Sequence, residues 1–231
     1  MDALELTGRA RTHVLQLDAV GAALHRLAVE PFHDLCAAAV RDGIELAILS
    51  AYRDFDAQRA IWNRKFRGDR PLYDRHGQPR DRQAMTEDEL LEAILSWSAL
   101  PGASRHHWGS DIDVFDCAAM PPGYRVQLLP EEYAPGGVFA RLAHWLDANL
   151  ERFGFFRPYD VDRGGVHPEP WHISYAPVAL RAADALTVDL VADTLRDADV
   201  LGKSRVLQRL PEIHRRFVAN VGYPGSGAVR A

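Results

Sequence analysis

Apolar residues along the chain recur at spacings typical of helices and short strands. Residues 14–40 carry apolar positions at helical spacing, interrupted by Pro31. Pro31 fits the first turn of a helix that runs to about Arg41, because a missing N–H is tolerated there. A buried strand is predicted over 44–49, where most residues are apolar. A further helix, capped by the aspartate that precedes it, is predicted over about 55–66.

A polar segment follows this helix. Residues 67–83 are rich in charged residues, Gly and Pro, which predicts an exposed insertion or flap. Thr86 followed by Glu89 forms a capping box, so a helix is expected to begin there and to run to about Trp97. We interpret about 67–100 as one polar insertion in the fold.

The second half of the chain continues the alternation of strands and helices. Strands are predicted over 110–115 and 173–175, and helices over about 137–153 and 178–218. Residues 153–156 are expected to lead into a loop, and 222–231 to form a frayed tail. Strands and helices without a regular βαβ rhythm, internal repeat or linker indicate a single α+β domain over residues 1–231.

Composition narrows the function classes. The chain has 231 residues, of which 47% are hydrophobic and 26% charged, as is usual for globular domains. Its net charge is −5, and no clustered basic surface for nucleic acid is visible. No stretch approaches the roughly 18 consecutive apolar residues of a membrane-spanning helix. Cys36 and Cys117 are too few for a four-thiolate zinc site or a disulfide scaffold.

Residues suited to metal binding concentrate in two segments, which read SRHHWGSDID and HPEPWH. Catalytic zinc takes three protein ligands of nitrogen or oxygen type and keeps a fourth position open. His106, Asp113 and His172 can provide such a set. A His-x6-Asp pair alone is common in proteins, so the spacing by itself shows only a plausible metal site.

Glu169 lies three residues before the last of these histidines. A carboxylate beside a metal site can act as a general base. On a straight strand Glu169 and His172 would face opposite sides, so the chain must bend between them. Pro168 and Pro170 make such a bend plausible.

Two further histidines near these segments are weaker candidates. His107 adjoins a candidate ligand and should project elsewhere. His167 with Glu169 forms a His-x-Glu pair, as in zinc deaminases, but those enzymes need two later cysteines and none follows Cys117. His167 remains a candidate for the wall of a pocket.

The combined motifs closely resemble those of the LAS metallopeptidases. The pattern SxHxxGxxxD runs from Ser104 to Asp113, and ExxH closes on His172. The LAS group includes D-alanyl-D-alanine carboxypeptidases of the VanY type, related dipeptidases and phage cell-wall endopeptidases. The segment EPWH, and SAYR over 50–53, look most like the VanY type. The resemblance covers about residues 32–176, the expected catalytic core.

The resemblance implies a fold and a set of roles. The fold is a small, mainly antiparallel sheet flanked by helices, Hedgehog/D-Ala-D-Ala peptidase-like, here with extra N- and C-terminal helices. One Zn2+ ion would be bound by His106, Asp113 and His172. Glu169 would be the catalytic base. Arg53 would stabilise the oxyanion, for which a guanidinium with fixed charge is suited.

Five further residues receive expectations. Ser104 is expected to contact substrate or to orient the first ligand, and Gln58, Ser50 and Trp171 are expected on the substrate side. Asp111 departs from the family, which usually has alanine there. Asp111 shares a strand face with Asp113, so we expect it to hydrogen-bond a ligand histidine or a substrate amine. The alternative is a solvated carboxylate at a strand edge.

The expected activity is that of a zinc carboxypeptidase acting near a D-amino acid, in peptidoglycan stem peptides or their precursors. An L,D-carboxypeptidase, a stem-peptide endopeptidase and a non-catalytic zinc module remain alternatives, and the oligomeric state is open. The insertion at 67–100 is a candidate wall of the pocket. Residues 1–6 lack the pattern of a secretory signal. A cytoplasmic location is therefore expected, with the periplasm or release by lysis as the alternative.

Overall fold

Short strands and helices alternate along residues 1–225, which the computed structural model describes. The strands are β1 (Val14–Leu17), β2 (Ala22–His25), β3 (Leu46–Ser50), β4 (Leu72–Tyr73), β5 (Pro79–Arg80), β6 (Asp111–Asp116), β7 (Phe155–Phe156) and β8 (His172–Tyr175). The α-helices are α1 (Ala3–Leu6), α2 (Val29–Arg41), α3 (Phe55–Arg67), α4 (Glu87–Leu95), α5 (Pro130–Tyr133), α6 (Ala140–Asn149), α7 (Ala176–Ala185), α8 (Val188–Arg196) and α9 (Lys203–Ile213). The predicted α+β class is confirmed.

Four antiparallel strands form the central sheet, in the order β3-β6-β8-β7. All six residues of β6 are buried. Ile112 and Val114 pack into an apolar core, and Asp113, between them, faces the other side of the sheet. The register pairs Asp113 with Ser50 on β3 and with His172 on β8. This pairing brings two candidate metal ligands side by side.

Two apolar cores hold the helices against the sheet and against each other. The first core packs Phe32 of α2 and Leu146 of α6 with Ile173 of β8. The second core joins α3 and α4 to the three C-terminal helices, through residues such as Trp62 and Leu91. The first core covers one face of β6 and β8, and the cavity lined by Asp113 and His172 lies on the opposite face.

Residues 14–25 form an antiparallel hairpin of β1 and β2, so their helical spacing does not produce a helix. Gly21 adopts φ +62 and ends the short 3-10 turn between the strands. Leu24 is fully buried, and the His25 N–H donates to the Gly109 carbonyl at 2.8 Å. Contacts with a segment distant in the sequence therefore override the local spacing. Pro31 does lie in the first turn of α2, as predicted.

Other predicted elements agree with the structure, apart from one loop. The helix predicted over 55–66 is α3, and the Thr86–Glu89 capping box begins α4. The helix predicted over 137–153 is α6 followed by a 3-10 turn. Phe155–Phe156, expected to lead into a loop, is instead the short edge strand β7 paired with β8. A strand of two residues is too short to show the alternation of apolar and polar positions by which strands are recognised in a sequence.

The insertion is polar only in its first part. Residues 67–86 contain the small β4–β5 hairpin, whereas α4 buries Leu91 and Ile94 in the second core. Ion pairs join α4 to the C-terminal helical segment, since Arg209 and Arg216 bind Glu92 at 2.6 and 2.9 Å.

The helical extension predicted over 178–218 is present as α7, α8, α9 and a final π-helical turn. The frayed tail predicted from residue 222 lies outside the described residues from 226 onward. Gly222 itself is buried, and its N–H donates to the Pro158 carbonyl at 2.7 Å.

The membrane and disulfide expectations can also be compared with the structure. Within residues 1–225, no helix is both long enough and apolar enough to cross a membrane. Cys36 and Cys117 are free thiols. Burial raises the pKa of Cys36 to about 11, so this thiol is protonated and unreactive at neutral pH.

Gly109 provides a test of the hairpin's packing. It adopts φ +65, and a Cβ there would lie 2.7 Å from the backbone nitrogen of His25. We expect Gly109→Ala to lower the free energy of unfolding by about 2–4 kcal/mol, through left-handed strain and steric overlap. Urea denaturation of the metal-free protein measures this loss. Gly123→Ala is the control, because its φ is +75 with nothing within 4 Å. Equal losses in both variants would contradict the assigned steric role.

Candidate metal centre and active-site cleft

His106 lies in a 3-10 turn that follows Ser104 and ends at Gly109. Its Nδ1 lies 2.9 Å from the carbonyl oxygen of Ala51. A carbonyl only accepts, so Nδ1 carries the proton and Nε2 is left with a lone pair. The ring lines a cavity of about 440 Å³. The backbone of the segment before α3 thus sets the tautomer of His106.

His172 begins β8 and uses its ring nitrogens the other way round. Its Nε2 lies 3.0 Å from Asp111 Oδ1, so Nε2–H donates to that carboxylate. Its Nδ1 then points towards Asp113 Oδ1 at 3.3 Å and Glu169 Oε2 at 3.2 Å. A carboxylate behind a histidine is the usual arrangement that orients a metal-binding imidazole.

The candidate ligand atoms of His106, Asp113 and His172 lie within 4.8 Å of one another. All three residues are buried. Within residues 1–225, Asp113 Oδ1 and His172 Nδ1 have no hydrogen-bond partner. Buried polar atoms without partners are rare, and two nitrogens with one carboxylate are a donor set that suits zinc. These residues therefore fit a single divalent cation.

The electrostatics of the cluster favour positive charge at its centre. Burial raises the pKa of the Asp113 carboxyl, but the charges and hydrogen bonds of His106 and His172 outweigh it and hold the pKa well below its usual range. Burial lowers the pKa of His172, but the hydrogen bond to Asp111 and the nearby carboxylates of Asp113 and Glu169 raise it well above its ordinary value. A proton or a metal ion at Nδ1 satisfies these carboxylates.

Asp111 is fully buried and makes three charge-assisted hydrogen bonds. Besides His172, it accepts from Arg105 Nε at 2.6 Å and from Ser110 Oγ at 2.7 Å. Arg105 also donates to Ser174 Oγ at 2.7 Å, so the ion pair bridges β6 and β8. Asp111 is therefore not a solvated carboxylate at a strand edge, which was the alternative expectation for this residue.

Glu169 lies in a turn that reverses the chain just before β8. The Glu169 N–H donates to the Tyr159 carbonyl, and the His172 N–H donates to the Glu169 carbonyl at 3.1 Å. This turn supplies the bend expected from the flanking prolines, since it brings both side chains to the same side. Glu169 lines the cavity beside the candidate ligands.

Arg53 also lines the cavity, and its guanidinium is fixed by two polar side chains. Nη1 donates to Gln58 Oε1 at 2.6 Å, and Nη2 donates to Ser50 Oγ at 2.8 Å. Gln58 is fully buried, and its amide nitrogen donates to the Ala99 carbonyl at 2.6 Å. The prediction that Gln58 contacts substrate is therefore wrong, because both ends of its amide are occupied. Ser50 likewise contacts Arg53 and is absent from the described lining of this cavity.

Ser104 and Trp171 lie where the sequence placed them, on the cavity wall. Trp171 stacks on Trp97, with ring centroids 6.4 Å apart and an interplanar angle of 16°. The insertion contributes to the wall, as expected. The wall also contains side chains that the motif analysis missed, among them Lys65, Arg70, Tyr73, Trp97, Leu128 and Tyr159.

The two weaker histidines do not join the cluster. His107 is fully buried; its Nδ1 donates to the Arg53 carbonyl at 2.6 Å, and its Nε2 accepts from the Gly102 N–H at 3.1 Å. Both ring nitrogens of His107 are therefore occupied. His167 packs edge-on against Trp97, at 4.9 Å between ring centroids.

Comparison with known proteins gives consistent matches. The family model VanY, D-alanyl-D-alanine carboxypeptidase, matches residues 21–178. An uncharacterised protein of Haemophilus influenzae is 35% identical over 121 residues, which are 52% of this chain and 92% of that protein. A D-alanyl-D-alanine carboxypeptidase of Enterococcus faecalis is 30% identical over 154 residues, which are 65% of this chain and 47% of that protein.

Solved structures share the fold. VanYB in complex with D-alanine-D-alanine has a TM-score of 0.53 and 23% identity, covering 83% of this chain and 92% of that chain. The vancomycin resistance D,D-pentapeptidase VanY, solved as a mutant in complex with Zn(II), has a TM-score of 0.53 and 25% identity, covering 76% and 84%. Because the family model spans more than half of the chain, the chain belongs to the VanY family of D-alanyl-D-alanine carboxypeptidases and is a metallopeptidase of the LAS type.

Proposed function

We propose that the chain is a zinc-dependent carboxypeptidase that cleaves next to a D-amino acid, of the D-Ala-D-Ala type, in peptidoglycan stem peptides or their precursors. The observation that carries this proposal is the convergence of two imidazole nitrogens and a carboxylate, with Glu169 beside them, in one cavity. The D-alanine-D-alanine and the Zn(II) bound by the two solved VanY proteins support the substrate and the metal.

The proposed ligands are His106 Nε2, His172 Nδ1 and the Asp113 carboxylate. The hydrogen bonds on the remote ring nitrogens leave these lone pairs free to bind the cation. Three ligands leave a fourth position open, as catalytic zinc sites require. Zinc in such a site supplies a Lewis acid that polarises a carbonyl and lowers the pKa of water.

Glu169 is the proposed general base. It accepts a proton from the attacking water and passes that proton to the leaving amine. Arg53 is proposed to face the negative charge that develops on the carbonyl oxygen. Its guanidinium is held in place by Ser50 and Gln58 before substrate binds, so little reorganisation is needed when that charge appears.

Three alternatives are weighed against this function. An L,D-carboxypeptidase and a stem-peptide endopeptidase would use the same cluster and differ only in the peptide they accept. A non-catalytic zinc module would need neither a base nor a cationic group in the cavity. Glu169 and Arg53 both line the cavity, which supports an enzyme over a binding module.

The first prediction concerns activity. Incubation of the zinc-loaded protein with muropeptides and free stem peptides should release D-alanine, detected by mass spectrometry. Removal of metal with a chelator should abolish release, and added zinc should restore it. Glu169→Gln should lower kcat about 100- to 10,000-fold, whereas Glu30→Gln, on the exposed surface of α2, should match the wild type.

Two outcomes would count against this prediction. If the wild type releases no amino acid from any peptide of the panel, the proposed function fails. If the Glu169→Gln variant keeps the wild-type rate, Glu169 is not the base.

The second prediction concerns Asp111. Asp111→Ala should weaken zinc binding about 10- to 100-fold, because His172 loses the group that orients it. The variant should also lose about 3–5 kcal/mol of unfolding free energy, because Arg105 is left buried and unpaired. Competition with a chromogenic chelator and urea denaturation measure the two effects.

A double variant separates the two roles of Asp111. Asp111→Ala with Arg105→Met removes both charges, so stability should recover in part while zinc affinity stays low. Recovery of zinc affinity in the double variant would show that Asp111 acts through stability alone.

The third prediction concerns pH. The pKa of His172 is raised well above its ordinary value, so in the metal-free protein the ring keeps its second proton to a higher pH than an ordinary histidine does, and zinc must displace that proton from Nδ1. The apparent zinc affinity should therefore still rise with pH between pH 7 and 8. A histidine of ordinary pKa would give a nearly flat profile there. Calorimetry in buffers of different ionisation enthalpy counts the released protons, and no release in this interval would contradict the prediction.

A further inference from the structure

One wall of the cavity carries three cationic side chains: Arg53, Lys65 and Arg70. Lys65 lies on α3, and Arg70 follows the end of that helix. Within residues 1–225 none of the three forms an ion pair with a carboxylate, whereas the buried Arg105 is paired with Asp111. The proposed mechanism uses Arg53 and leaves the other two cations without a role.

Lys65 is half-buried, and its Nζ donates to Ser98 Oγ at 2.7 Å. An ammonium has three N–H donors, so this bond occupies one of them. Burial lowers the pKa of Lys65 to about 8; attraction by Glu169 opposes the shift, and repulsion from Arg70 and Arg53 adds to it. The surroundings of Lys65 thus disfavour its charge, and the attraction by Glu169 compensates for it only in part.

Stability does not account for a lysine at this position. A half-buried cation without a counter-ion is unfavourable, and an apolar side chain of similar length would avoid that cost. Charges kept in unfavourable surroundings inside a cleft are typical of functional sites. The ligand that compensates such a charge is an anion, and peptides of the proposed substrate class carry carboxylates.

We propose that Lys65, assisted by Arg70, binds a carboxylate of the peptide substrate; the inference rests on the proposed function. An ammonium and a carboxylate form a charge-assisted hydrogen bond, which is stronger than a neutral one. Two carboxylates of a stem peptide have this chemistry: the C-terminal one, and that of an acidic side chain further from the end. Binding of the C-terminal carboxylate would make the enzyme reject internal peptide bonds, where that group is an amide.

A binding experiment tests the subsite without relying on turnover. The parent protein is zinc-loaded Glu169→Gln, which should not consume the peptide. Quenching of Trp97 and Trp171 fluorescence reports binding, because both rings line the cavity. The first probe pair is acetyl-L-Lys-D-Ala-D-Ala with a free or an amidated C-terminus. Both peptides of the second pair have an amidated C-terminus. They differ only in the residue before the lysine, which is glutamate in one peptide and glutamine in the other.

Three variants in the parent background decide the outcome. In the parent, for one of the two pairs, the peptide that carries the free carboxylate should bind about 10- to 100-fold more tightly than the peptide in which that carboxylate is an amide. Lys65→Met should reduce this preference to less than about twofold, and Lys65→Arg should retain it. Arg64→Met is the matched control, because it removes a positive charge from the exposed face of the same helix. This control should leave the preference unchanged.

Each result has one meaning. Loss of preference in the first pair assigns Lys65 to the C-terminal carboxylate, and loss in the second pair assigns it to the side chain. The preference should also fall as the pH rises, since Lys65 loses its proton, and should persist in Lys65→Arg. No preference in the parent, or an unchanged preference in Lys65→Met, overturns the inference. If the subsite behaves as expected but wild type hydrolyses no peptide, the subsite stands and the proposed function fails.

Discussion

The pairing of β6 with β8 is the constraint on which the rest of the site depends. Its register sets Asp113 beside His172, and the strand period places Asp111 on the same face. One imidazole therefore meets a carboxylate at each ring nitrogen. A slip of one residue would turn both aspartates into the apolar core and empty the cluster. The Arg105–Asp111 ion pair, which reaches Ser174 on β8, disfavours such a slip.

The site and the fold were predictable from the sequence to different degrees. The candidate ligands and Glu169 could be found because they follow one another at short, fixed spacings in two segments. The capping box and α3 could be found because they depend on local hydrogen bonds and helical periodicity. The β1–β2 hairpin could not, because contacts with Gly109 and burial of Leu24 stabilise it. Lys65 and Arg70 could not, because only the tertiary fold brings the end of α3 to the cavity.

The C-terminal helices lie largely beyond the region that the family model matches, yet they contribute to the cavity through α4. Their apolar residues pack on Leu91 and its neighbours, and Arg209 and Arg216 bind Glu92. The chain after α4 runs into the cavity wall, where Ser98 accepts from Lys65 and Ala99 accepts from Gln58. The C-terminal segment thus supports the backbone on which two wall residues depend.

Two hydrogen bonds join the segment around Arg53 to the turn that holds His106, one from the His106 ring and one between backbone groups. The Ala51 carbonyl accepts from the His106 ring, and the His106 carbonyl accepts from the Arg53 N–H at 3.1 Å. The same short stretch of backbone therefore positions both the His106 ring and the start of the segment that carries Arg53. In the proposed mechanism, a metal ligand and the oxyanion-stabilising group thus share one backbone support. A shift of the backbone at Ala51 is therefore expected to disturb His106 and Arg53 together.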